Sequence, residues 1–143
     1  MIQRIQTIWL LLASACVFAS LSISFYAGNL ISAGELNNTA KTFTELNGMY
    51  NIITNILSVS IGVLSFVAIF LYTNRKTQTR LILTTMLLEL LLMLEYESCI
   101  KKFAEGSYTI GSLLQLLVMI FFILALKGIR KDQKIVAESD RLR

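Results

Sequence analysis

Two residue types are missing from this chain altogether: among its 143 residues there is no histidine and no proline. Without imidazole there is no histidine-based catalytic triad, no histidine zinc site and no imidazole proton shuttle. Without proline, no proline ring kinks or breaks a helix. Cysteine is scarce, and Cys16 and Cys99 alone cannot build a cysteine metal site. Charge is scarce too, at 15% of residues against roughly 25% in an average soluble domain. Thirteen basic and nine acidic side chains would cover a soluble surface thinly.

What is abundant is apolar: 55% of the chain, gathered in long blocks. That excludes disorder, a disulfide scaffold and an ordinary cytosolic enzyme, and indicates a membrane protein. A membrane-crossing helix needs about 20 mostly apolar residues. Residues 8–26, 50–72 and 108–126 meet that requirement, and residues 81–96 form a shorter run containing Glu89 and Glu95. The first run continues ten residues past Cys16, too long for a signal-peptide core of about 7–15 residues, so it is expected to be retained as a span. Tyr50 and Tyr72 bracket the second run as interfacial anchors.

Loop charges set the orientation. Arg4, the loop residues Arg75, Lys76 and Arg80, and Lys127, Arg130, Lys131, Lys134, Arg141 and Arg143 in the tail make ten cations on one side. Lys41, Lys101 and Lys102 make three on the other. Both termini are therefore expected in the cytoplasm, and the net charge of +4 needs no nucleic acid to explain it. The expected fold is an all-α integral membrane four-helix bundle, one domain over residues 1–143. The last helix is expected to run on into the cytoplasm, because only Gly128 interrupts it. The outer loop, residues 27–49, holds an Asn47-Gly48 turn pair, a three-residue glycosylation pattern at Asn37 that is too short to carry weight, and room for a short amphipathic helix over residues 36–46.

The opening MIQRIQT leading into LLLASA, the YTNRKTQTRL segment and the closing ALKGIRKDQKIVAESDRLR resemble a family of small four-span inner-membrane proteins of unknown function from Bacteroidota. The resemblance implies the four-span architecture, a long first outer loop and a bacterial inner-membrane location. It implies no activity. It also leads one to expect a second acid after Asp132, where this chain has Gln133.

Glu89 stands near the middle of the third run, where an ionised acid costs at least about 2.5–3.5 kcal/mol and suggests function by default. At about 1.5 Å per residue, Glu89 lies about 12 Å and Gln115 about 10 Å from the outer ends of their helices. A Glu89–Gln115 hydrogen bond, joined by Asn55, would satisfy all three as polar glue between spans. The competing reading is a proton relay through Glu89. Glu95, Glu97, Cys99, Lys101 and Lys102 read as a solvated interfacial cluster, with no Cys16–Cys99 disulfide because the two lie at different depths. The spacings Ala15-x-x-x-Ala19 and Ser58-x-x-x-Gly62 are expected to mark close helix contacts. In the tail, Ile129 and Val136, and Ile135 and Leu142, form a narrow apolar stripe among basic residues. That stripe suits anionic lipid or a protein partner docking also on Asp140, Arg141, Leu142 and Arg143.

The expected function is thus a non-catalytic accessory or scaffold subunit, with membrane lipids and a protein as partners, no cofactor and no metal. The alternative is a small transporter or channel subunit that uses Glu89 as its titratable group.

Overall fold

The computed structural model describes residues 3–30 and 43–141. The elements follow as α1 (Gln3–Ala19), β1 (Tyr26–Leu30), β2 (Phe43–Leu46), α2 (Ile52–Phe70), α3 (Arg75–Ile100), β3 (Phe103–Tyr108) and α4 (Ile110–Arg141), with a 3-10 turn at Leu71–Thr73 between α2 and α3. α1 packs on α2 and α4, and α3 packs on the same two helices, so α1 and α3 take opposite corners of a four-helix bundle. α3 and α4 touch less extensively than the other neighbours.

The chain is mostly helical, but it is not all-α. A three-stranded antiparallel sheet in the order β2-β1-β3 caps the end where α1 finishes and α4 begins. The apolar run of residues 8–26 does not stay helical to its end. After Ala19 the chain turns through Ser20, whose hydroxyl donates back to the Val17 carbonyl at 2.7 Å, and Phe25 N–H donates to the Leu46 carbonyl at 2.7 Å. Most of the expected 36–46 helix lies outside the described residues, and its last four positions are strand β2. The Asn47-Gly48 pair does turn the chain: Tyr50 N–H reaches the Asn47 carbonyl at 3.1 Å. Gly48 N–H reaches the Ser20 carbonyl, also at 3.1 Å, and so docks the turn on the end of α1.

β1 pairs with β3 so that Tyr26 faces Tyr108 and Gly28 faces Gly106. The two glycines are required by proximity. A Cβ on Gly28 would sit 2.2 Å from the Glu105 carbonyl oxygen, and one on Gly106 would sit 2.5 Å from the Tyr26 ring. The Tyr26 ring covers Gly106 and meets Tyr108 and Phe103 edge-on, with centroids 5.3 Å apart in each pair.

Helix starts follow local chemistry. Asn51 and Thr54 form a capping box at the start of α2, with Asn51 N–H donating to Thr54 Oγ1 at 3.1 Å. Asn74 caps α3 by accepting from Thr77 N–H. α3 therefore begins at Arg75, six residues before the apolar run of residues 81–96, and continues to Ile100; its 26 residues span about 39 Å. Arg75, Lys76 and Arg80 lie on its first turns and not in a loop.

Around an apolar core, polar residues are buried and large apolar ones exposed on the same helices. α2 buries Thr54, Ser58, Gly62 and Ser65 while it exposes Ile52, Ile56, Val63, Phe66 and Phe70. α3 buries Gln78, Thr85 and Glu89 while it exposes Leu87, Leu90, Leu91 and Leu94. By length and composition, two helices are apolar enough to cross a membrane: Ile52–Phe70 and Ile110–Lys134. The expected four does not follow from that criterion. The apolar part of α1, Gln6–Ala19, is too short, because its run turns into a strand. α3 carries basic residues at one end and glutamates along the other half.

Candidate functional site

The charged end of the bundle is tied together through α4. Asp132 is buried and its carboxylate accepts from the Gln6 side-chain amide of α1. Its backbone carbonyl accepts from the Arg75 guanidinium of α3 at 2.9 Å. Gln78 donates to the Ala68 carbonyl at 2.9 Å, which bonds α3 to α2 at the same end. Gln133, found where the family resemblance leads one to expect an acid, donates from Nε2 to Thr79 Oγ1 at 3.4 Å. Thr79 spends its own proton on the Arg75 carbonyl at 2.9 Å, so this position calls for a donor, which a carboxylate is not.

Beyond these ties α4 keeps going. Its 32 residues span about 48 Å, against a hydrocarbon core of about 30 Å. Lys127, Arg130, Lys131 and Lys134 are exposed along it, whereas Ile129 is fully buried. The expected apolar stripe therefore loses its first member to the bundle's own core. Asp140 and Arg141 fall on the last turns of α4, and Leu142 and Arg143 lie outside the described residues.

A second site lies in the bundle interior. Among the described residues, the buried side-chain atoms without a hydrogen-bond partner are Ser58 Oγ, both carboxyl oxygens of Glu89, Tyr96 OH, and both polar atoms of Gln115. Glu89 and Gln115 are completely buried. Tyr96, on α3 two turns from Glu89, lies beside Ser58 of α2. Three helices thus bring four polar side chains into an apolar interior.

The expected Glu89–Gln115 hydrogen bond is not among the bonds formed, and the reason is depth. α3 ends at Ile100 and α4 begins at Ile110, which puts Glu89 about 16 Å and Gln115 about 8 Å from their helix ends. Asn55 is half-buried, and Ser58, one turn further along, is the α2 member of the group. Ser58 was read in the sequence only as a small contact residue and Tyr96 was missed, because serine and tyrosine occur in apolar runs for many reasons. The signal available was that Tyr96 continues the 3-4 spacing of Gln78, Ile82, Thr85, Glu89 and Leu92.

The remaining expectations divide. Ser58 and Gly62 are buried, and a Cβ on Gly62 would meet the Phe18 ring of α1 at 2.8 Å, so this pair does mark a close helix contact. Ala15 is exposed, so the Ala15–Ala19 spacing does not mark a contact inside the bundle. Both cysteines are free. Glu97, Lys101 and Lys102 are exposed as expected, but Cys99 is buried and Glu95 is half-buried.

Fold and interior together define a class: a four-helix protein with a sheet-capped end, a few polar side chains buried in an apolar core and two helices apolar enough to cross a membrane. The particular family follows from comparison, since the model of DUF4293, a domain of unknown function, matches residues 2–142, and the chain belongs to that family. No curated protein and no solved structure matches it.

Proposed function

We propose that this protein is a four-span, non-catalytic accessory subunit of a bacterial inner membrane, with both termini in the cytoplasm, that presents the end of α4 to a protein partner. The observation that carries this is the α4 overhang. A helix about 18 Å longer than a hydrocarbon core is gripped at its exit by Gln6 and Arg75 through Asp132, and its exposed face bears Arg130, Lys131 and Lys134. Such a stalk projects in a set direction, which lipid contact alone does not require. The aliphatic exteriors of α1 and α3, including Ile8, Leu11, Leu87, Leu90 and Leu94, support counting them as spans. The clustering of cations at the stalk end supports the orientation. Removing residues 139–143 is expected to abolish stoichiometric co-purification of one specific protein in mild detergent; an unchanged set of co-purifying proteins refutes the reading.

A second reading is favoured by the completely buried Glu89, whose two carboxyl oxygens have no hydrogen-bond partner: a small transporter or channel subunit in which that carboxyl titrates. Its test is ion or proton flux in proteoliposomes. Loss of flux in Glu89→Gln supports it, and equal flux in the two proteins leaves Glu89 as polar glue.

A further inference from the structure

The seam between α3 and α4 opens at the sheet end into a cavity of about 280 Å³, lined by Phe25, Met93, Glu97, Tyr108, Ser112 and Leu116. Its chemistry is graded. Phe25 forms part of the wall, stacked on Tyr96 at 4.6 Å between centroids, and Met93 and Leu116 make the wall nearer the bundle middle. Glu97, Tyr108 and Ser112 stand at the sheet end, where the Tyr108 hydroxyl donates to Glu97 Oε1 at 3.2 Å. That bond uses one carboxylate oxygen and fixes the negative group at the mouth. The flanks of the seam, Leu90 and Leu94 on α3 and Leu113 and Leu117 on α4, are exposed and aliphatic.

We infer that this groove binds one acyl chain of a phospholipid whose headgroup carries a primary ammonium. The inference rests on the membrane-spanning reading above, because that reading puts the seam against lipid. An acyl chain matches the apolar half of the groove and continues the aliphatic surface on either side. The headgroup choice rests on charge. The mouth presents a carboxylate, a phenol oxygen and a serine hydroxyl, all acceptors for an ammonium. An anionic headgroup would face Glu97 directly and would have to be held by Lys101 and Lys102, which follow Glu97 in the chain and are exposed.

The test is native mass spectrometry of the full chain extracted in mild detergent and exchanged into an equal mixture of phosphatidylethanolamine and phosphatidylglycerol. The expected result is one retained lipid, with phosphatidylethanolamine enriched about two- to fivefold, as an exposed ion pair yields. Glu97→Gln should remove the enrichment without removing the lipid. Leu116→Trp, at a half-exposed position that tolerates bulk, should fill the groove and remove the lipid. Equal retention of the two lipids, preference for phosphatidylglycerol, or a preference untouched by Glu97→Gln overturns the inference. Release of the protein from membranes by an alkaline carbonate wash is a different failure, and it refutes the membrane-spanning reading itself.

Discussion

At the scale of single residues, the side chains that decide most are those asked to be polar in apolar surroundings. Asp132 solves the problem by accepting from Gln6; Glu89 and Gln115 do not form their bond within the bundle. The difference yields a prediction. Asp132→Ala strands the Gln6 amide and is expected to cost about 1 kcal/mol or somewhat more, read as a lower midpoint of unfolding in detergent. Asp132→Asn keeps an acceptor oxygen for Gln6 and should lose little. If the two variants unfold together, the carboxylate is not what holds α1 to α4. Glu89 and Gln115 were legible in the sequence as lone polar groups in apolar runs. The other two buried members, Ser58 and Tyr96, were not, because which serine or tyrosine turns inward is set by how α2 and α3 are rotated against each other.

At the scale of elements, apolar runs located the helices and misjudged their ends in both directions. Charge was the cause for α3: Arg75, Lys76 and Arg80 suggest a loop, yet the Asn74 cap starts the helix at Arg75, before the apolar run begins. The opposite error occurred after Ala19, where an uncharged run leaves the helix and its last residue, Tyr26, opens strand β1. The strands were not legible at all. β1 and β3 are short and far apart in sequence, and pairing of this kind leaves no local periodicity to read. The glycines do carry a signal once Gly28 and Gly106 are set opposite each other. Gly28→Val should part β1 from β3, because the added Cβ meets backbone atoms that cannot give way. Faster hydrogen exchange at the amides of Phe103–Tyr108 would report this. For Gly62→Ala the nearest atoms belong to the Phe18 ring, which can rotate, and the change should leave those amides protected.

At the scale of the whole molecule, composition implied a membrane protein, and the fold adds two helices apolar enough to cross one, Ile52–Phe70 and Ile110–Lys134. Leu87, Leu90 and Leu94 lie on the surface, while Glu89 and Gln115 are buried among apolar side chains. The sheet gives this arrangement a sequence in time. Leu30 ends β1 and Phe103 begins β3, so 73 residues must be made before the central strand finds its second neighbour. At a synthesis rate of about 5–20 residues per second that is a wait of roughly 4 to 15 s. During it, the nascent chain holds β1 paired with β2 alone, its other edge of backbone donors and acceptors open. Closure of the cap is therefore a late event that joins the first helix to the last. Whatever holds that open edge in the interval, whether water or a chaperone, must release β1 before the cap is finished.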